Sequence, residues 1–401
     1  MSERELVVLL ALLQALQALA IDAMLPALGI MAQDLGVSDP NQRQLAVAVF
    51  LMGIGLGSLL PGAFADRFGR RPVLFICLGF YILPGLACAL VQNFSTLLVL
   101  RGVQAVGSAG LAVIPSVIIR DRFEGDRMAR LQSLVSMVLL IVPMLAPALG
   151  QGVMMLLGWR WIFGAMAVLA VIITFWAWLR LPETLNPEHR QPIHLPAIAG
   201  NMFEVVTTRE SIGYVLAGTL MTSVIWSYIN SAQQLLAEHF NTGRYFPLVF
   251  FGLALGMALA NFVNSRIVER FGTRRVSHAA LFAFIAAALL QVRLAHDPGQ
   301  TLWQFLPVMA VNMALVGFMG ANFMAIALQP FAREAGAAAS VQAFLRTVMA
   351  SIIGTSVGQA YDGSARPLSY ALLAAGVLAL ALALFSERGK LFRRLHPPAT
   401  L

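Results

Sequence analysis

The segment that decides the fold is LAVAVFLMGIGLGSLLPGAFADRFGRR, residues 45–71. Residues 45–61 carry no charge, whereas residues 62–71 carry four charged side chains. In the whole chain of 401 residues, 59% are hydrophobic and only 11% are charged. Soluble domains carry about 25% charged residues, and about 20 apolar residues suffice to cross a bilayer. The sequence therefore predicts an integral membrane protein built of helices, which satisfy their backbone hydrogen bonds internally.

Apolar runs of span length continue along the chain, at about 5–28, 42–64, 73–92, 95–119, 129–156, 160–181, 211–236, 244–265, 276–295, 302–328, 335–360 and 368–386. The longest polar interval separates the first six runs from the last six. We predict a six-helix bundle at 1–181, a cytoplasmic linker at 182–210, a second six-helix bundle at 211–387 and a basic cytoplasmic tail at 388–401.

Positive residues are unevenly distributed between the two sets of loops. Of the 27 Lys and Arg residues, 20 lie in the loops and termini on one side of the predicted membrane and five on the other. Because positive residues mark the cytoplasmic side, both termini are predicted to be cytoplasmic. This bias also explains the net charge of +8 without a nucleic-acid partner.

The charged loop has a counterpart in the second half of the chain. DRFG at 66–69 is echoed by ERFG at 269–272, 203 residues later, and each follows the second predicted span of its half. Two parallel halves with the substrate site between them are a known transporter architecture.

Several segments together resemble the major facilitator superfamily: GAFADRFGRRPVL (62–74), IDAMLPAL (21–28), LVLRGVQAVGSAG (98–110) and PMLAPALGQG (143–152). With GWRWIF (158–163) and LPETL (181–185), they are similar to the twelve-span drug:proton antiporters of the bicyclomycin and chloramphenicol resistance branch. Two positions depart from the motifs, namely Phe64, where an aliphatic residue is usual, and Gln151, where glycine is preferred. Beyond residue 185 only hydropathy, the loop repeat and AGAAAS at 335–340 match.

The resemblance implies an all-α membrane protein of the major facilitator fold, with twelve transmembrane helices in two six-helix bundles. It implies a monomer in a bacterial inner membrane that exports small drug-like molecules, such as phenicol- or bicyclomycin-type antibiotics, by alternating access. Protons are the expected coupling ion, and no cofactor is expected. The expected partners are the small-molecule substrate and the lipid bilayer, not nucleic acid.

Asp22 is the only carboxylate well inside a predicted span, and Arg101 lies at a similar depth in the fourth span. Because lone charges there are costly, the two residues predict an ion pair or a shared polar cavity. A partly buried carboxylate can bind and release a proton, so Asp22 with Arg101 is the predicted proton-coupling site. The alternatives are a helix-end acid in water for Asp22 and a structural cation that holds backbone carbonyls for Arg101.

Two more groups of residues are predicted to support conformational change. In a cytoplasmic latch, Asp66 would accept hydrogen bonds from the N-terminus of a neighbouring helix, and arginines would hold carboxylates or carbonyls. The latch residues are Gly62, Asp66, Arg67, Gly69, Arg70, Arg71, Glu269 and Arg270. In an outer gate, prolines bend the fifth span and glycines permit close helix packing. The gate residues are Pro143, Pro147, Gly150 and Gly152. The alternatives are a topology anchor for the loop and ordinary small-residue packing for the span.

Polar residues inside the spans are candidates for a substrate cavity. Arg346, about eleven residues into the eleventh span, is either a substrate-facing cation or a structural one. If it faces the cavity, it favours neutral or anionic substrates over permanently charged cations. Asp22 is a further candidate. The remaining candidates, each of which alone fits an interhelical contact better than a ligand, are Asn230, Gln233, Gln234, Asn261, Asn264, Asn312 and Asn322.

Three classes of function compete: a proton-driven drug exporter, a transporter of one metabolite by uptake or facilitated exchange, and a membrane enzyme or receptor. The third is the weakest, because His, Cys and acidic residues do not cluster in the sequence as a metal or nucleophile site requires. The sequence also has no phosphate-binding glycine loop of a nucleotide-driven pump. Asp22 and the fifth-span motif favour the exporter.

Overall fold

The computed structural model describes residues 1–39, 41–58, 60–123, 125–185, 188, 200, 203–331 and 335–392. These residues form helices and connecting turns and contain no strand. The chain divides into two compact units, Met1–His194 and Leu195–Leu401. Most of the predicted linker at 182–210 and the last nine residues of the predicted tail lie outside the described residues.

Among its described residues, the first unit contains eight helices: α1 Glu3–Asp22, α2 Leu28–Asp34, α3 Leu45–Gly57, α4 Leu60–Phe68, α5 Arg70–Leu90, α6 Phe94–Arg122, α7 Gly125–Leu157 and α8 Arg160–Arg180. Helix α6 packs against α1, α3 and α5, so it lies in the middle of this unit. Helix α1 also contacts α7 and α8, and α5 contacts α8.

The second unit contains α9 Arg209–Ala232, α10 Phe246–Phe271, α11 Thr273–Ala295, α12 Leu302–Leu328, α13 Ala335–Gln359 and α14 Arg366–Ser386. Helix α9 continues into a π-helical turn, Gln233–His239. It packs against α12, α13 and α14, and α12 also packs against α10 and α11.

Ten helical stretches of the described chain are long and apolar enough to cross a membrane. The α3–α4 pair would form one further, bent span, and α7 contains the shorter apolar stretch Ile141–Leu157. Each of the twelve predicted spans falls on one of these stretches. Large apolar side chains also point outward, such as Leu83, Leu156 and Trp303, which are 70%, 83% and 80% exposed. This outward apolar surface suits contact with lipid chains and shows a multi-pass membrane protein.

Candidate functional site

Asp22 is the last residue of α1 and is 3% exposed. The α-helix ends there because Pro26 lacks the N–H that would bond to the carbonyl of Asp22. A 3-10 turn, Leu25–Ala27, then leads into α2. Oδ1 of Asp22 has no hydrogen-bond partner among the described residues, and no ion pair within the described ranges involves this carboxyl group. The carboxyl group is therefore shielded from water without a basic partner.

Arg101 on α6 is completely buried. Its guanidinium donates from Nη2 to the carbonyl of Ala20 at 2.8 Å and from Nε to the carbonyl of Ala46 at 3.3 Å. It therefore joins α6 to α1 and α3. No ion pair joins Arg101 to Asp22 in the described part of the chain. The arrangement corresponds to the structural alternative for Arg101, although Ala20 lies only two residues before Asp22.

A buried polar network extends from Arg101 and was not predicted from the sequence. Nη1 of Arg101 donates to Oε1 of Gln104 at 2.9 Å, and Nε2 of Gln104 donates to the carbonyl of Tyr81 at 3.3 Å. The Tyr81 hydroxyl donates to the carbonyl of Leu16 on α1 at 2.8 Å. The ring of Phe50 lies 3.9 Å from the guanidinium carbon. The spacing of Arg101 and Gln104, one helical turn apart, was the available sequence signal.

In the predicted latch, Arg70 begins α5 and is 4% exposed. It forms ion pairs with Asp66 at 2.7 Å and with Asp121, near the end of α6, at 2.8 Å. The Thr184 hydroxyl also donates to Asp121 at 3.1 Å. Two carboxylates from different elements thus hold one buried arginine and tie the loop to α6.

Glu183, rather than Asp66, receives the N-terminal amides of α5. The backbone N–H groups of Arg70 and Arg71 donate to its carboxylate at 2.9 and 3.0 Å, as do those of the next two residues of its own loop at 2.9 Å. The prediction for Asp66 was wrong because that side chain, one turn earlier, reaches the guanidinium instead. Burial raises the pKa of Glu183, but the four backbone donors outweigh it, so the pKa lies below its ordinary value.

The other latch residues of the first unit lie around this cluster. Gly69 separates α4 from α5 with φ of +110°, a conformation that a side chain would strain. Arg71 donates to the carbonyl of Trp178 on α8 at 2.6 Å. Arg67 is exposed and lies over the ring of the next residue, and Gly62 is half-buried within α4.

The second unit has a matching loop with a different ion pair. Gly272 separates α10 from α11 with φ of +88°. Arg274, two residues later, donates to Glu387 beyond α14 at 2.5 Å and to Gln329 at 2.8 Å. The Tyr214 hydroxyl on α9 also donates to Glu387, at 2.8 Å. This carboxylate therefore links α9 and α11 to the end of the last span.

Asp121, Glu183 and Glu387 were not predicted as functional residues from the sequence. The available signal was their position, because each acid stands at the end of a span, close to an arginine-rich loop. Of the two latch residues named in the second half, Arg270 is exposed and lies over the neighbouring aromatic ring. The side chain of Glu269 lies outside the described residues.

The four residues of the predicted outer gate all lie in α7, which remains helical past both prolines, Pro143 and Pro147. Gly150 is buried against α1, and a Cβ atom there would collide with the carbonyl of Ala23. A Cβ atom at Gly152 would meet only open space. Close packing therefore depends on Gly150, directly beside the residue that follows Asp22.

The candidate cavity residues of the second unit divide into two kinds. Asn264 on α10 and Asn322 on α12 exchange hydrogen bonds at 3.2 and 3.0 Å and so join two helices. Asn261, Asn230 and Asn312 each donate to a carbonyl one turn earlier in their own helix. Oδ1 of the last two is buried without a hydrogen-bond partner among the described residues.

Gln233 donates to Glu238 at 2.9 Å, and its Oε1 has no partner within the described ranges. Arg346 on α13 is half-buried, and its Nη1 lies 3.5 Å from the sulfur atom of Met324 on α12. Nowhere in the described chain do three His, Cys, Asp or Glu side chains lie close enough to hold a metal ion.

A family model described as Major Facilitator Superfamily matches residues 10–210, half of the chain, including Asp22, Arg101 and the first-unit latch. The chain belongs to the major facilitator superfamily. It is therefore a transporter and not an enzyme. Its twelve predicted spans and its loop repeat agree with the fold of this superfamily.

Relatives of this superfamily member match along most of its length. A bicyclomycin resistance protein homolog of Haemophilus influenzae is 26% identical over 92% of this chain and 93% of its own. The multidrug resistance protein MdtL of Klebsiella pneumoniae strain 342 is 30% identical over 84% of this chain and 86% of its own. An uncharacterized MFS-type transporter, YdgK, of Bacillus subtilis is 29% identical, with 87% of each chain covered.

Solved structures agree on the fold. A crystal structure of a D-xylose-proton symporter superposes with a TM-score of 0.74 at 13% identity and covers 98% of this chain and 100% of its own. A bacterial homolog of the human lysosomal transporter Spinster superposes with a TM-score of 0.72 at 15% identity, with 97% and 98% covered. At such low identity these likenesses show the major facilitator fold alone.

Proposed function

We propose that this protein is a proton-coupled exporter of small drug-like molecules, including phenicol- or bicyclomycin-type antibiotics. It works by alternating access as a monomer in a bacterial inner membrane, with both termini in the cytoplasm. Its only coupling ion is the proton, and it uses no cofactor. The observation that carries the proposal is the burial of Asp22 without an ion-pair partner in the described part of the chain. The names of the bicyclomycin and multidrug resistance relatives support drugs as the substrate class.

Asp22 is suited to carry the coupling proton. An ionised carboxylate that is shielded from water and unpaired costs several kcal/mol, whereas its protonated form does not. Proton uptake by Asp22 is therefore favoured whenever no other cation or dipole stabilises the ionised carboxylate. If substrate and proton compete at this site, binding one expels the other, which is antiport.

The energetics of this exchange favour export. One proton entering in exchange for a neutral drug moves one charge, worth about 2.3 kcal/mol per 100 mV in addition to the pH gradient. The buried Arg101 supports the exchange by holding the end of α1 through the carbonyl of Ala20. We propose that it fixes the position of Asp22 without neutralising it.

The test is transport of labelled chloramphenicol into inverted membrane vesicles with an acidic interior. The wild-type protein should accumulate the drug only while the pH gradient persists, and Asp22→Asn should abolish this uphill transport. Asp39→Asn is the matched control, because Asp39 is an exposed carboxylate of the same unit. Gradient-dependent accumulation by Asp22→Asn at the wild-type level would refute the role of this carboxyl. Accumulation by the wild type without any gradient would refute proton coupling.

A further inference from the structure

Arg346 carries a charge that the described protein does not balance. It lies eleven residues into α13, about 16 Å along the helix axis and so near the middle of a hydrocarbon core about 30 Å thick. Its one described hydrogen-bond contact is the thioether of Met324, a weak acceptor. No carboxylate of the described residues forms an ion pair with it.

Gln342, on the same helix face, has a side-chain donor without a partner among the described residues. It lies four residues before Arg346, which places the two side chains on neighbouring turns. Gln342 is 4% exposed, and its Nε2 has no hydrogen-bond partner among the described residues. The described residues around Arg346 and Gln342 therefore supply too few hydrogen-bond acceptors and no negative charge for these donors.

A structural role does not explain this arrangement. The fully buried Arg101 of the first unit donates to two backbone carbonyls and one side-chain oxygen. Arg346 has none of these bonds in the described structure, although an unpaired cation inside a membrane is costly. Its mid-membrane depth also separates it from lipid phosphates. Because Arg346 is only half-buried, water reaches part of its guanidinium, and an anionic group of an entering molecule can replace that water.

We infer that Arg346 and Gln342 form a subsite for an anionic group of the transported compound, a carboxylate or a similar oxyanion. The guanidinium can donate two parallel hydrogen bonds to a carboxylate, and the Gln342 amide can donate a third. The inference deepens the proposed transport function and rests on it. Arg346 is then a specificity-determining residue, and permanently charged cations are excluded by repulsion.

The first test compares equilibrium binding of nalidixate and of its uncharged methyl ester to the purified full-length protein. The wild type should bind the carboxylate about tenfold more tightly than the ester. Arg346→Gln should reduce this preference to about one, and Arg346→Lys should keep part of it, because the charge remains without the fork. Arg293→Gln, an exposed arginine of α11, is the control and should keep the full preference.

Equal binding of carboxylate and ester by the wild type, or an undiminished preference in Arg346→Gln, would overturn the inference. So would binding of chloramphenicol but not of nalidixate. None of these results depends on proton coupling, so the inverted-vesicle experiment can fail or succeed separately.

A second test needs no ligand. Because a half-buried charge without an ion-pair partner in the described chain destabilises the empty protein, Arg346→Met should raise its melting temperature by a few degrees. A lower melting temperature would show that Arg346 holds the fold together, and would overturn the inference even if no probe binds.

Discussion

At the scale of single residues, Asp22 and Arg101 are both buried, but their polar atoms differ in how they are satisfied. Arg101 has hydrogen bonds from all three guanidinium nitrogens, to α1, to α3 and to Gln104 on its own helix. Asp22 has an Oδ1 with no described partner. The cation is therefore satisfied by neutral oxygens, whereas the carboxyl lacks such a partner for Oδ1 in the described chain, as its proposed role in proton exchange requires.

Arg101→Lys is expected to destabilise the protein by about 2–4 kcal/mol, because an ammonium cannot reproduce the guanidinium fork and leaves buried carbonyls unbonded. The measurement is the unfolding midpoint in detergent. Arg293→Lys, at an exposed position of α11, should leave the midpoint nearly unchanged. An unchanged midpoint in Arg101→Lys would show that the hydrogen bonds of the guanidinium are not needed for stability.

At the scale of elements, the latch of the first unit joins α4, α5 and α6 through Arg70 and reaches the segment beyond α8 through Glu183. Glu183 acts as a cap for α5, with charge opposite to the helix N-terminus. The same position in the second unit is filled by Glu387, which binds a guanidinium instead of backbone amides. In each unit, an acid that follows the last span thus holds the loop between the second and third spans. Glu183 does so through backbone amides and Glu387 through a guanidinium.

Glu183→Gln should lower the unfolding free energy at pH 7 by about 1 kcal/mol or less, since the exposed carboxylate is screened by solvent. Because the folded pKa of Glu183 lies below the unfolded one, its stabilisation is present above the ordinary carboxyl range. It is lost as the pH falls through the lowered folded pKa. The unfolding midpoints of wild type and variant should therefore converge in acid. Glu210→Gln, at an exposed position of α9, is the control, and a difference independent of pH would contradict the capping role.

At the scale of the whole molecule, each unit has a buried core of its own. Phe50 and Phe163 are fully buried in the first unit, and Phe284, Phe305 and Phe323 in the second. The division falls after His194, inside the interval predicted as a linker. Each unit should therefore insert and fold without a covalent connection to the other.

Co-expression of fragments 1–190 and 191–401 should restore part of the wild-type transport in inverted vesicles. A matched pair split between residues 316 and 317, inside α12, should restore none, because the cut removes backbone hydrogen bonds from a span. If both fragments of the first pair are inserted but transport is absent, the units are not independent in folding or assembly.

The sequence by itself determined the helical membrane class, the approximate positions of most spans and the family, because a bilayer demands helices of about 20 apolar residues and tolerates few charges. It also determined that Asp22, Arg101 and Arg346 stand out, since charge inside a span is rare and costly.

Only the tertiary structure decided the partners of these charges. Arg70 meets Asp121 and Glu183, which are 51 and 113 residues away, and Arg274 meets Glu387, 113 residues away. Arg101 is satisfied by carbonyls, which every residue possesses and which no sequence pattern can single out. Hydropathy fixes the depth of a side chain in the membrane, whereas its partners depend on which helix faces pack together.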